Sequence, residues 1–423
     1  MTNPMTARTR QGFSVQRLAA LRAPLARAVE AGEMPGAVGL VLRHGEPVHE
    51  DVVGWQDVGQ RLPMRADTVF CIASLSKPIT SVAALMLVER GVLRLDDPVA
   101  RWLPELAAPK VLPRPDAPLA EARPARGFIT LRHLLSHRSG LVYPVDAEML
   151  KVLPVDPRTP LEHAVAEAGL SGRPHQAPDA FMARLATLPL RCEPGEGFAY
   201  GFSTDVLGVL IARASGRPFG RFLAEEVFGP LGMVDSGFEV DARRAERLAP
   251  IYVRGADGRL VDSDTLDPPP WGYHPRASLL APPAFESGGA GLLSTAPDLL
   301  RFQQMLLQGG RLGDVRLLSR NTVNLMCTDQ MTEAQRSESI FGFAGIWRGM
   351  GFGLGVSIVD RPQWHHSMEP RGSFGWGGLY GGSATAVPSE GLAYVYLTSL
   401  HQGDLHCRAR VDWVTLLLAA LDD

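Results

Sequence analysis

The sequence predicts an α/β chain of the α+β kind: one sheet assembled from both ends of the polypeptide, with a mainly helical segment inserted between them. Three observations carry this. Residues 37–57 (AVGLVLRHGEPVHEDVVGWQD) read as two strands around a turn. The segments GFGLGVSIVD, GLYGGSATAVP and GLAYVYLTSL, near the C-terminus, are β-rich and punctuated by glycine. Between about 130 and 230 the apolar residues instead recur at helical spacing. Strands near both termini with helices in the middle fit an inserted helical unit better than repeated βαβ units.

Taken in order, residues 15–33 carry leucine and alanine at helical spacing, interrupted by Pro24, and stop before Met34-Pro35-Gly36. The first two strands meet at His44-Gly45-Glu46. A helix follows over about 76–90 (SKPITSVAALMLVER), with Gly91 as its C′ residue. Residues 107–127, rich in Pro, Ala and Arg, read as a long surface loop. The segments LRHLLSHR, EHAVAEA, DAFMARLAT, TDVLGVLIARAS and GRFLAEEVF read as helices. Residues 250–288 read as irregular, with Pro268-Pro269-Pro270 among them. PDLLRFQQMLLQGG is a helix with a glycine stop, and VDWVTLLLAAL closes the chain as an apolar-faced helix. No repeat of 20–50 residues is present.

Length and charge narrow the function. A chain of 423 residues can bury a large core. A net charge of −3 offers no basic field to nucleic acid or anionic lipid. No apolar run reaches the ~18 residues of a spanning helix, and no apolar stretch follows the N-terminal arginines as a secretory leader requires. We therefore expect a cytoplasmic protein with neither nucleic-acid nor membrane partners. Cys71, Cys192, Cys327 and Cys407 are far apart and form no C-x-x-C, so buried reduced thiols are expected. His365-His366 and His401/His406 lack the i, i+4 spacing of a metal helix, so surface or loop histidines are expected and no metal site is assigned. Of 42 basic residues only Lys77, Lys110 and Lys151 are lysine. Lysine, unlike arginine, can give up its proton when desolvated or beside another cation.

Lys77 stands three residues after Ser74 in CIASLSKPIT. Positions i and i+3 share a helix face, so Ser74 Oγ and Lys77 Nζ can meet, while Ser76 points elsewhere. Pro78 is tolerated only in a first turn, which puts the pair at the helix N-terminus. There the helix dipole disfavours an ammonium, and free backbone N–H groups face any oxyanion. A neutral amine is a sufficient activator of a serine hydroxyl. The alternative is that Ser74 caps the helix and Lys77 is solvated. Tyr200, in RCEPGEGFAYGFSTDVLG, can share protons with a nearby lysine, or it can be a core aromatic. The glycines of RGSFGWGGLYGG suggest a strand approached closely by a ligand, whose N–H could complete an oxyanion hole with that of Ser74, or else a bulged edge strand.

Together these segments resemble the serine β-lactamase and penicillin-binding-protein superfamily, which has the class C β-lactamase fold, and within it the family VIII carboxylesterases. The carrying motifs are Ser74-Leu75-Ser76-Lys77, Tyr200-Gly201-Phe202 and Trp376-Gly377-Gly378, with ITLRHLLSHRSGL, PLGMVDSGF and SGGAGLLSTAPDLLRF in support. The resemblance spans about residues 30–415. It implies a β-lactamase/transpeptidase-like fold: an α/β domain (1–72 with 290–423) holding an antiparallel sheet, a mainly helical domain (73–289), and a site in the cleft between them. It implies Ser74 as nucleophile, Lys77 and Tyr200 as coupled base and acid, and the N–H groups of Ser74 and Leu379 as oxyanion donors. Trp376, Gly377, Gly378 and Phe202 would bind substrate, and no cofactor is implied.

Two departures bear on the substrate. Phe202 stands where a β-lactamase would carry asparagine, and Trp376 where it would carry the K-T-G lysine that holds the antibiotic's carboxylate. An apolar, uncharged cleft suits neutral esters of short to medium acyl chains, with little or no β-lactam hydrolysis. No G-x-S-x-G string is present, so an α/β-hydrolase elbow is not available. An acyltransferase of the same fold would use the same residues. A D-amino-acid peptidase, a β-lactamase or a non-catalytic sensor fits less well.

Overall fold

The computed structural model describes residues 9–144, 159–171, 175–255, 257–267, 272–273, 275–337, 347–365, 367–401 and 407–423. Lys151, Pro268-Pro269-Pro270, His366 and His406 lie outside them. At the centre is an eight-stranded antiparallel sheet. Its strands are β1 (Gly36–Arg43), β2 (Glu46–Asp57), β3 (Leu62–Pro63), β4 (Met350–Phe352), β5 (Ser357–Val359), β6 (Phe374–Gly377), β7 (Ser383–Val387) and β8 (Leu392–Thr398). The order across the sheet is β4-β5-β6-β7-β8-β1-β2-β3. β8 pairs with β1, Tyr396 opposite Gly39 and Ala393 opposite Leu42, so both ends of the chain build one sheet.

The residues explain the pairing. β8 (LAYVYLT) alternates two apolar sets: Leu392, Tyr394 and Tyr396 join the core on one face and Val395 and Leu397 the core on the other, with Ala393 also buried. A strand apolar on both sides belongs at the centre of a covered sheet. Between β1 and β2, His44 (φ 52°) and Gly45 (φ 88°) are both left-handed, the turn whose twist matches a two-residue hairpin. One face is covered by α2 (Arg22–Glu30, preceded by the short α1, Val15–Leu18) and α6 (Ala409–Ala419). The fully buried Trp413 of α6 lies on Gly39, where an added Cβ would stand 2.7 Å from the indole, and its Nε1 donates to Asp51 at 2.9 Å. The other face is covered by α5 (Ala296–Leu307), which shares a core with α3 (Ser76–Glu89) and α4 (Ser203–Ser215). Every residue of α3 from Ser76 to Leu87 is buried, as befits a helix apolar all round.

Several expectations need correction. The first helix breaks after Leu18, and Pro24 sits in the opening turn of α2, where a missing N–H costs nothing. The expected loop at 107–127 contains a ladder, Lys110–Val111 against Arg123–Pro124, held by the bond from Leu190 N to Lys110 O (2.7 Å). The expected irregular stretch at 250–288 contains a hairpin, Tyr252–Arg254 with Leu260–Asp262, anchored by Tyr252 N to Ser399 O at 2.8 Å. GRFLAEEVF is a helix only to Leu223, then a π turn over Ala224–Phe228. Both short ladders are held by backbone partners far along the chain, Leu190 and Ser399, which local periodicity does not carry.

Candidate active site

Ser74 lies on a 3₁₀ turn, Ala73–Leu75, that runs directly into α3. The preceding Phe70–Cys71 pairs with Leu293–Ser294, which fixes how the chain enters the turn. Ala73 has φ 45°, a left-handed conformation that a residue with a Cβ adopts only where its surroundings impose it. Ser76 is committed elsewhere: its hydroxyl donates to Ala73 O at 2.7 Å and accepts from Leu292 N at 3.2 Å.

Three side chains converge around Ser74. Lys77 is 1% exposed, and its Nζ donates to Ser74 Oγ at 3.1 Å and to Gly289 O at 2.8 Å. Tyr200 Oη donates to the same Ser74 Oγ at 2.9 Å, and Lys77 Nζ lies 4.7 Å from its ring centroid. Trp376 Nε1 in turn donates to Tyr200 Oη at 3.3 Å. Behind Trp376 stand Trp347, stacked at 6.2 Å, and Phe352, edge-on at 5.2 Å. The wall beside Ser74 is therefore aromatic.

The end of β6 packs on the turn that carries Ser74. A Cβ at Gly378 would stand 2.6 Å from Ile72 O, so only glycine lets the strand come this close. The glycine-rich run was expected to admit a ligand; at Gly378 it admits the protein's own backbone, while Gly377 is exposed. The half-buried Leu379 follows, and its backbone N–H donates to no described residue. The Ser74 N–H lies in the first turn of its helical segment, where donors have no intrahelical acceptor.

Phe202 does not line a cleft. It is fully buried, with its ring edge-on to Tyr143 at 4.8 Å and to Phe181 at 5.3 Å, because it caps the apolar start of α4 from inside. What it supports is Tyr143, whose Oη accepts from Lys77 Nζ at 3.3 Å and donates to Asp205 Oδ2 at 3.0 Å. Sequence reasoning missed both residues, and the one available signal was an aspartate in the otherwise apolar TDVLGVLIA. Burial, then the Asp205 charge, pushes the Tyr143 phenol well above its ordinary range. Burial also raises Asp205, against the pull of Lys77. His137, another missed residue with φ 53°, is buried with its ring 4.6 Å from that of Tyr200; burial and Lys77 hold it neutral.

The remaining candidates fall outside this centre. His365 and His401 lie in loops but turn inward rather than to the surface: His365 Nε2 meets Glu369 at 2.8 Å, and His401 lies beside Tyr380. All four cysteines are thiols; Cys71 and Cys407 are buried, Cys192 and Cys327 partly so, which corrects the expectation for the latter two. Among the described residues no group of three or more His, Cys, Asp or Glu could hold a metal ion. None of their helices is long and apolar enough to cross a membrane.

The model of the beta-lactamase family matches residues 21–416. The chain belongs to that family. It is 38% identical to Protein Rv1367c of Mycobacterium tuberculosis, over 89% of this chain and 88% of that one. It is 32% identical to Esterase EstB of Burkholderia gladioli, over 90% of each. Among solved structures it is similar to EstCE1, described as a hydrolase with promiscuous acyltransferase activity, with a TM-score of 0.77 and 27% identity over 95% of this chain and 98% of that one. The antiparallel sheet flanked by helices is the fold that the chain shares with this solved structure.

Proposed function

We propose that the protein is a serine carboxylesterase of the family VIII type, cleaving neutral short- to medium-chain esters through an acyl-enzyme on Ser74. One observation carries this reading: two proton-handling groups, Lys77 Nζ at 3.1 Å and Tyr200 Oη at 2.9 Å, meet on one serine hydroxyl. Ser74 attacks the ester carbonyl as the Lys77/Tyr200 pair takes its proton. The oxyanion faces the N–H groups of Ser74 and Leu379. The pair returns the proton to the leaving alkoxide, then activates the water that releases the acid. Neither metal nor organic cofactor takes part.

Trp376, with the exposed Gly377, borders the substrate, while Gly378 packs on the turn that carries Ser74. The indole stands where a β-lactamase would pair the drug's carboxylate with lysine, and a lost buried charge pair of this kind costs ~2–5 kcal/mol. β-Lactam turnover is accordingly weak or absent. We assign the cleft to the junction of 1–72 with 290–423 and 73–289, and the four thiols fit the reducing cytoplasm.

Acyl transfer is a second reading, favoured by the description of EstCE1 and tested by product partition with an added alcohol. The primary test is a p-nitrophenyl ester chain-length series on the native protein and on Ser74→Ala, Lys77→Ala and Tyr200→Phe. Ser74→Ala loses at least ~10³-fold in kcat. Near-native turnover in that variant removes the assignment.

A further inference from the structure

We propose that Asp205 is a positioning residue: by holding the Tyr143 hydroxyl as an acceptor, it aims one position of the Lys77 amine at Ser74. The proposal rests on Ser74 being the nucleophile. Beyond its carbon, Lys77 Nζ has three positions and three partners. Gly289 O, at 2.8 Å, can only accept. Tyr143 Oη, at 3.3 Å, also accepts, because its own proton is directed to Asp205 Oδ2 at 3.0 Å. These two take N–H donors whatever the charge on the lysine.

The third position faces Ser74 Oγ at 3.1 Å. In the neutral amine it holds the lone pair, which can take the serine proton. In the ammonium it holds the N–H that can return it. If the Tyr143 proton turned toward Lys77, the lone pair would go to Tyr143 and Ser74 would face a donor it cannot use.

The surroundings keep Tyr143 in this orientation. Asp205 is fully buried, and its Oδ1 accepts from Ser287 Oγ at 2.5 Å and from Gly289 N at 3.2 Å. Gly289 thus serves both ends of the circuit, its N–H on Asp205 and its C=O on Lys77. A Cβ there would stand 2.5 Å from Asp205 Oδ2 and 2.6 Å from Tyr143 Oη, so the circuit closes only around glycine. Burial and the Asp205 charge keep Tyr143 protonated through the working range. The charged or titratable groups facing Lys77 among the described residues are Tyr143, Tyr200, Asp205 and the neutral His137. Asp205 is the anion among them.

The test measures kcat and KM against pH with p-nitrophenyl butyrate for the native protein and Asp205→Asn, alongside thermal unfolding. The Gly289 N–H still needs an acceptor, so the amide oxygen of the variant occupies the Oδ1 position and its NH₂ faces Tyr143, turning the phenolic proton toward Lys77. We expect kcat to fall ~10²-fold, with KM within about twofold because Asp205 and Tyr143 are both buried behind Lys77. The acid limb of kcat/KM should move to lower pH, because removing an anion near a cation makes the amine easier to deprotonate. Tyr143→Phe, which deletes the acceptor and leaves the charge, should also lower kcat at unchanged KM. It replaces Asp205→Asn if that variant does not fold.

A folded Asp205→Asn protein with kcat within about threefold of native and an unmoved acid limb, or a Tyr143→Phe protein with native kcat, overturns the proposal. Fluorophosphonate labelling separates this from failure of the nucleophile itself. If Ser74→Ala stays active or is still labelled, the underlying reading has failed. If Ser74→Ala is inert while Asp205→Asn labels normally, only the positioning role has.

Discussion

Gly378→Ala tests how the end of β6 sets the oxyanion site. The added Cβ would stand 2.6 Å from Ile72 O, a backbone atom two residues before Ser74. Carbon–oxygen contacts relax only at about 3.4 Å, so either the strand end or the nucleophile turn must give by roughly 0.8 Å. Leu379 follows at once, and its N–H moves with the strand. A displacement approaching 1 Å at a reacting centre costs about 10²-fold, similar to the ~10²–10³ for losing one oxyanion donor. The assay is steady-state hydrolysis of p-nitrophenyl butyrate, with thermal unfolding in parallel. We expect kcat to fall about 10²-fold and KM to change far less, because the donor acts on the charge that develops in the transition state. A folded variant with kcat within about threefold of native would refute the reasoning. It would mean that the close approach of β6 to the Ser74 turn plays no part in placing the donor.

Other consequences follow from the same structure. Trp376→Lys should weaken turnover across the ester series, since it puts an ammonium among Trp347, Phe352 and Tyr200 and removes the N–H donated to Tyr200 Oη; unaltered ester kinetics would take Trp376 out of the pocket. Trp413→Ala should cost about 3–5 kcal/mol in urea unfolding, from the void over Gly39 and the lost partner of Asp51. Glu369 supplies a pH signature. Burial pushes this carboxyl up, but bonds from His365, Ser367 and Tyr394 outweigh burial and hold it at about 2, against an ordinary 4.5. A depressed folded value stabilises above pH 4.5 and is lost as pH falls from there toward 2, a contribution of about 3 kcal/mol. Glu369→Gln should therefore be less stable at pH 7 and lose that acid slope, read from urea midpoints across pH.

The chain by itself determined the features that live within a few residues. The β-rich GLAYVYLTSL and the turn-flanked AVGLVLR marked strands near both ends of the chain. The i, i+3 spacing of Ser74 and Lys77, with Pro78 limiting them to a first turn, put hydroxyl and amine on one face. The rest needed the fold, because it joins residues that no period relates. Tyr143 reaches Lys77 from 66 positions away and Asp205 from 62 beyond that, and only tertiary packing brings them within a hydrogen bond. Phe202 reads as a lining residue by its place in a motif, yet the packing of α4 turns it into the core. The glycine at 378 reads as room for a ligand, yet the structure fills that room with Ile72. Periodicity records which face of an element is apolar; it does not record what that face meets, and at this site the meeting of distant elements decides where each proton can go.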